Sequence, residues 1–370
     1  MDTDERHMRT AIKLARRGAG LVSGMPMAGA VVVKDDQVAG NGFAGSRDNL
    51  PAIIGAINKA GPLAFHSTIY TNCEPLIDSN DSTHIEKLIA CQPARIVVGA
   101  TIGSNEEDGT LARLRESGIE ITFGVCREIC REINEIYLKY SDTGLPFVTV
   151  KYAQTLDGRI ATATGDSQWI SSPPSLRLAH QLRREHDAIL VGIGTVLKDD
   201  PRLTVRLVGG RDPLRIVIDS QLRIPSDARV IAEKTDRPTI IITNDSSDRE
   251  RASMLTEAGA EVLIVPRALN TLGVDITEAL QALGRRAIRS VLVEGGSGII
   301  TSLLAAGAVD RLVVVTAPKI VGRGIEAVDN LGITRLTDAI TFSSFTTRRV
   351  GPDIVFDGRM RNRKSANQNL

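Results

Sequence analysis

Aromatic residues make up only 3% of the 370-residue chain, and Trp169 is its single tryptophan. Proteins that hold single-stranded nucleic acid stack its bases on exposed rings, so this scarcity argues against that function. Net charge is almost absent as well. Lys and Arg number 45 against 44 Asp and Glu, leaving +1, so nothing at whole-chain level asks for nucleic acid or an anionic membrane. No run of about 18 apolar residues occurs, which speaks against a membrane span. The four cysteines, Cys73, Cys91, Cys126 and Cys130, form no dense framework, and the opening MDTDERHMRT has no apolar targeting core. The expectation is a reduced, cytoplasmic protein whose partner is a small molecule.

What is present is a globular composition, 42% hydrophobic and 24% charged, with room for two ordinary domains or one large one. Residues 9–18 suggest an amphipathic helix ended by glycine, and residues 28–33 and 37–43 a hairpin around Asp35-Asp36. Helical patterns at 53–60, 85–90 and 111–117 alternate with strand patterns at 68–72, 94–100 and 120–125, which predicts helices covering a sheet. A further helix over REICREINEIYLKY would put Cys126 and Cys130 on one face, as core packing or as a redox or metal pair. The turn-rich stretch from Ser141 to Pro146 then marks a boundary, giving domains at 1–145 and 146–370.

In the second half, Lys151 lies inside an apolar strand. An unpaired ammonium there is costly, so its side chain should meet a ligand or an acidic partner unless the strand is an exposed edge. Trp169 sits beside Ser167 in a Gly/Asp/Ser-rich loop, which weakens the usual reading of a lone tryptophan as a core anchor. Residues 175–186 read as a helix opened by Pro173-Pro174 and carrying Arg183, a residue type ordinarily solvated on helices. The string GTVLKDDPRLTVR at 194–206, read as a loop after the strand 188–193, is the most specific motif of the chain. Strands at 214–220, 239–243 and 262–265 and a helix at 276–283 follow. A strand at 290–294 then leads through Gly295-Gly296-Ser297-Gly298 into an apolar helix. Such a turn favours anions through its exposed N–H groups, but it is not the dinucleotide fingerprint of a Rossmann fold. Residues 310–317 and the loop to 324 complete the sheet, and the polar residues 361–370 should fray.

The strings VKYAQTLDGRIATATGDSQWISS and AILVGIGTVLKDDPRLTVR, with Ile218-Asp219-Ser220 and Val293-Glu294-Gly295-Gly296 through to Gly322, resemble the reductase half of the bifunctional riboflavin-biosynthesis deaminase/reductase family. Residues 7–140 are similar to its deaminase half. The resemblance implies an α/β fold with an N-terminal cytidine-deaminase-like domain and a C-terminal dihydrofolate-reductase-like domain. It implies NADPH-dependent reduction of the ribosyl group of a phosphorylated 5-amino-6-ribosylaminopyrimidine, the uracil form, to a ribityl chain. Lys151, Asp199 and Glu294 would orient the substrate and handle protons. Ser167, Arg183, Leu203 and Arg206 would contact the substrate, the two arginines at its phosphate. Ala153, Trp169, Thr195, Asp199, Ser220, Gly296, Ser297 and Gly298 would contact the cofactor. Two readings stand beside this one: the same fold acting on another pterin-like or pyrimidine metabolite, and a non-catalytic scaffold.

The first half departs from the family pattern. Its deaminases hold zinc with a His and two Cys, and a Glu beside the first ligand moves protons. Here Pro51-Ala52-Ile53 stands where the family has His-Ala-Glu, Glu74-Pro75-Leu76 where it has Pro-Cys, and His84 or Ile85 at the second cysteine. Met25-Pro26-Met27-Ala28-Gly29 replaces a substrate-gripping Asn-Pro-x-Val-Gly. Proline and leucine cannot ligate zinc, and isoleucine cannot carry a proton. His66, Cys73, His84 and Cys91 are ligand types without the paired spacing of a zinc site. No zinc and no deamination are expected, leaving a scaffold that serves oligomerisation or supports the second domain. A homo-oligomer is expected.

Overall fold

The structure, a computed structural model, describes residues 2–361 except 23, 47–49, 76–81, 103–108 and 269–272. Two compact units divide it, Met1–Thr143 and Gly144–Leu370. The first contains α1 (Thr3–Ala15), β1 (Gly29–Lys34), β2 (Gln37–Phe43), α2 (Ala52–Ala60), β3 (Thr68–Cys73), α3 (Ser82–Ala90), β4 (Arg95–Ala100), α4 (Gly109–Glu116), β5 (Glu120–Phe123), α5 (Arg127–Glu132) and α6 (Glu135–Thr143). Its sheet runs β2-β1-β3-β4-β5, antiparallel through β3 and parallel beyond. Strand side chains point alternately to opposite faces. Accordingly Ala30, Val32, Ile69 and Ile96 pack with Ile53 and Ile57 of α2, while Val31, Val33, Tyr70 and Val97 pack with Met8 and Ile12 of α1.

Two local expectations for this unit are corrected. Helix α1 begins at Thr3 rather than at residue 9, because its polar first turn is fastened by a tertiary contact: Asp4 accepts from the Tyr70 hydroxyl at 2.7 Å and from Arg95 at 2.6 Å. The single helix expected over REICREINEIYLKY is two helices. At the break, the Asn134 side chain accepts from the Met27 N–H at 2.7 Å and donates to the Met27 carbonyl at 3.2 Å. Cys126 precedes α5 with a φ of +57°, so it shares no helix face with Cys130.

The second unit contains β6 (Phe147–Thr155), β7 (Arg159–Thr162), α7 (Pro173–Glu185), β8 (Ala188–Gly192), α8 (Ile193–Asp199), β9 (Leu214–Ile218), α9 (Arg229–Ala232), β10 (Ile240–Asn244), α10 (Arg249–Glu257) and β11 (Glu261–Val265). It continues with α11 (Ile276–Arg285), β12 (Ser290–Val293), α12 (Ser297–Ala305), β13 (Arg311–Ala317), β14 (Gly324–Glu326), β15 (Phe342–Val350) and β16 (Asp353–Met360). The main sheet is ordered β11-β10-β9-β8-β12-β6-β13-β16-β15, parallel up to β13 and antiparallel in its last two strands. Val148, Val150, Val291 and Val293 face Leu283, Ile300 and Leu303 of α11 and α12. On the opposite face Leu292, Val313 and Val315 meet Leu178 and Leu182 of α7. The start of α7 is tied to β16, where Asp353 accepts from the Ser172 N–H, the Ser172 hydroxyl and the Ser175 hydroxyl at 2.9, 2.7 and 2.6 Å.

Here too the structure differs from the expectation. The sheet does not end with residues 310–317. The hairpin β15-β16 extends it, and β15 escaped notice because an edge strand exposed on both faces carries no alternation of apolar and polar residues. Residues 194–199, expected as loop, are the body of α8. Ser141 to Thr143 belong to the last turn of α6, so the turn before β6 is Gly144-Leu145-Pro146, with Gly144 at a φ of +68°. Among the described residues no helix is long and apolar enough to cross a membrane.

Candidate active site

Strands β6 and β12 lie side by side and parallel, with Val293 opposite Val150. One residue further along, Lys151 and Glu294 turn to the face that Leu292 shares with α7. Glu294 is gripped by Arg183 of α7, with Nε donating to Oε1 at 2.8 Å and Nη2 to Oε2 at 2.6 Å. Their side chains are only 13% and 12% exposed, so the pair is largely withdrawn from water. Burial pushes the Glu294 carboxyl up, but the charge and hydrogen bonds of Arg183, with the charge of Lys151, outweigh it and hold the pKa at about 2. Lys151 is buried, and burial lowers its pKa against the opposing pull of Glu294. Its Nζ makes no hydrogen bond to another described residue. The outcome is a fixed carboxylate beside a buried lysine that faces the same side of the sheet.

A cleft of about 620 Å³ opens over this pair. Of the residues expected at a site, Lys151, Ala153, Ser167, Trp169, Arg183, Thr195, Asp199, Leu203, Arg206, Glu294, Gly296 and Ser297 all line it, whereas Ser220 and Gly298 do not. Ser220 follows β9, and Gly298 is in the first turn of α12. Trp169 is 62% exposed and therefore no core anchor; its carbonyl accepts from Lys319 Nζ at 2.6 Å. Leu203 is buried among the apolar residues beneath α8 and has a φ of +56°, an uncommon conformation for a branched residue. Arg206 is exposed. Burial, followed by the charges of Arg183, Arg202 and Arg229, lowers its pKa, so it stands in a field of positive charge suited to an anion.

Arg183 is more committed than its sequence context suggested. Besides its two bonds to Glu294, its Nη1 donates to the Thr204 carbonyl at 3.0 Å. A residue that sequence reasoning missed is His180, whose Nδ1 accepts from the Arg206 N–H at 3.1 Å. The available signal was its spacing, three residues before Arg183 on the same helix face. Across the cleft, Gly295 and Gly296 have φ of +97° and +79°, and a Cβ on either would approach the Thr195 hydroxyl to 3.7 or 3.6 Å. Helix α12 starts there with Gly296 as its N-cap and no side-chain cap among the described residues, and the N–H groups of such a first turn suit an anionic group such as a phosphate.

The first unit has a cavity of about 470 Å³, whose walls include Met25, Pro26, Pro51, Ala52, Ile53, Thr71, Glu74 and Pro75. Pro51 stands at the start of α2. The Glu74 carboxylate accepts from the Ile102 N–H with both oxygens, at 3.0 and 2.8 Å. Leu76 lies outside the described residues. Cys73 is fully buried, and burial, then the charge of Glu74, raises its thiol well above the usual range. Among the described residues no three His, Cys, Asp or Glu side chains gather as a metal site.

A family model, the RibD C-terminal domain, matches residues 146–356. The riboflavin biosynthesis protein RibD of Aquifex aeolicus is 38% identical, with the match covering 96% of this chain and 98% of that one. The chain belongs to the RibD family. RibD of Escherichia coli is 34% identical over 95% of this chain and 98% of its own length. Among solved structures, a diaminohydroxyphosphoribosylaminopyrimidine deaminase/5-amino-6-(5-phosphoribosylamino)uracil reductase from Thermotoga maritima superposes with a TM-score of 0.80 at 29% identity, covering 97% of this chain and 99% of that one. Acinetobacter baumannii RibD, form 1, gives 0.79 at 28% identity, with the same coverage of both chains. The fold is accordingly the α/β pairing of a deaminase-like and a reductase-like domain found in RibD proteins, and the protein is a reductase of riboflavin biosynthesis.

Proposed function

We propose that the cleft of the second unit carries out NADPH-dependent reduction of the ribosyl group of 5-amino-6-(5-phosphoribosylamino)uracil to the ribityl product, and that the first unit no longer deaminates. The observation that carries this reading is Lys151 beside Glu294 at the ends of two adjacent parallel strands, the first without a hydrogen bond to another described residue and the second held ionised. The Thermotoga maritima relative is described as a reductase of this uracil compound. The uncapped start of α12, with Thr195 beside Gly295 and Gly296, fits the phosphates of a dinucleotide. When bound, NADPH supplies the hydride.

The substrate's ribosylamine opens to an imine at C1′. Reduction adds hydride to that carbon and a proton to the adjacent nitrogen, and the oxygen released from the ring becomes a hydroxyl of the ribityl chain. Lys151 can donate to the sugar oxygens and support the proton transfer, because its pKa lies below that of an ordinary lysine. Glu294, ionised and fixed by Arg183, orients Lys151 and the sugar. Arg206 binds the substrate phosphate, whereas Arg183 acts mainly by holding Glu294 and the Thr204 backbone. Asp199, exposed at the end of α8, contributes to the cofactor side of the cleft.

In the first unit, Pro51 and Ile53 stand at the wall of the cavity where the family would place a zinc ligand and a proton carrier. The substrate therefore reaches the second unit already deaminated. Steady-state oxidation of NADPH by the purified protein with the uracil-form phosphate tests the assignment. Turnover is expected, with a higher kcat/KM for NADPH than for NADH. Lack of turnover with this compound would sink the substrate assignment.

A further inference from the structure

The segment from Thr204 to Arg206 belongs to no helix or strand, yet three consecutive backbone groups are each held by a side chain. The Thr204 carbonyl accepts from Arg183 Nη1 at 3.0 Å, the Val205 N–H donates to Asp212 Oδ1 at 2.6 Å, and the Arg206 N–H donates to His180 Nδ1 at 3.1 Å. Two of the three holders come from α7, one helical turn apart. Because an N–H is the donor to Nδ1, that nitrogen carries no proton and the imidazole is the Nε2–H tautomer. Burial, with the charges of Arg183 and Arg206, lowers the His180 pKa to about 4, so the acceptor persists at neutral pH. His180 is buried and does not line the cleft, so it acts through Arg206 and touches no ligand.

We propose that His180 is a positioning residue for phosphate recognition: by holding the Arg206 main chain, it aims the Arg206 guanidinium at the phosphate of the substrate. This rests on the reading that Arg206 binds that phosphate. An arginine on an untethered segment must be ordered each time a ligand binds, and that ordering weakens affinity without changing the chemistry that follows. The role thus separates from a general contribution to folding, which would disturb cofactor binding and turnover as well.

The test compares the parent with His180→Ala, His180→Asn and Arg206→Ala, using the uracil-form substrate with its phosphate and the same compound without it. His180→Ala should raise KM for the phosphorylated substrate roughly tenfold, the scale of one charge-assisted hydrogen bond, while kcat and the KM for NADPH stay near the parent. The compound lacking phosphate should be insensitive to this substitution. His180→Asn should restore the parent KM, since its Oδ1 can stand where Nδ1 stood and accept the same N–H. If Arg206→Ala raises KM but His180→Ala does not, the positioning role is wrong while the phosphate reading survives. An unchanged KM in Arg206→Ala overturns both. Equal losses in kcat and in both KM values would show a merely structural histidine. Should His180→Ala not fold, His180→Leu, which keeps the bulk but has no acceptor, takes its place: a raised KM confined to the phosphorylated substrate supports the role, and a KM near the parent's refutes it.

Discussion

The two units each carry a cavity walled by residues at strand ends and at the start of a helix, but the two are furnished differently. In the second unit Lys151, Arg183, Arg206 and Glu294 converge on one cleft. In the first, Glu74 alone among the described lining residues is ionisable, and its oxygens are taken up by the Ile102 N–H. The apolar clusters beneath both are equally dry: Ile54, Ile69 and Ile96 in one and Leu190, Ile216 and Val293 in the other are 2% exposed or less. Core packing of the same quality therefore underlies two cavities with very different sets of ionisable side chains, so a cavity's shape and its chemistry are set separately.

The largest effect that could break this comparison lies in the furnished cleft. Lys151→Ala and Glu294→Ala should each lower kcat by about 10²–10⁴-fold, the usual range for a residue that manages a proton in the transition state. NADPH oxidation under saturating substrate measures it, and unchanged turnover in both variants would leave the cleft no better furnished than the other cavity.

A smaller effect sharpens the role of Arg183. Arg183→Leu leaves Glu294 without its partner and should destabilise the fold by about 3–5 kcal/mol at pH 7. The sign with pH follows from the pKa directions. In the parent, Glu294 is held near 2, so its stabilisation is complete above the ordinary carboxylate pKa and is lost as pH falls toward 2. Without Arg183, burial is mainly unopposed and Glu294 takes up its proton more readily in the folded state. The gap between variant and parent should therefore narrow from pH 7 to pH 4. Urea midpoints at the two pH values decide it, and a gap that is constant or widens on acidification contradicts the assigned pairing.

The smallest effect is expected in the first unit. Placing histidine at Pro51, which is only part-buried at the cavity wall, supplies one zinc-ligand type without its partners, so Pro51→His should yield no deamination and leave reductase kcat within about twofold of the parent. A parent chain that released ammonia from the amino-pyrimidine substrate and carried about one zinc per chain, removable with loss of that turnover, would show the first cavity to be active.

Much of this was legible in the sequence because it depends on local periodicity. The hairpin around Asp35-Asp36, the helix of α2 and the strand-turn-helix at Gly295-Gly296 follow from the pattern of side chains alone. Lys151 was also legible, since a lysine inside an apolar strand requires a reason. Strand β15 was not, because a strand exposed on both faces has no period to detect, and the polar first turn of α1 was hidden because it is secured by Tyr70 and Arg95.

The sequence by itself determined which residue types were available: the lysine, the carboxylates and the arginines of the second half, and the proline and isoleucine at positions 51 and 53 in the first. Only the tertiary structure decided how they are used. The parallel register of β6 and β12 sets Glu294 beside Lys151 although 142 positions separate them in the chain, and α7 reaches over to occupy Arg183 with Glu294 and to hold Arg206 through His180. The physical reason is that hydrogen bonding and charge act over a few ångströms, so a side chain's role depends on neighbours that strand register and helix packing deliver and that spacing along the chain does not record.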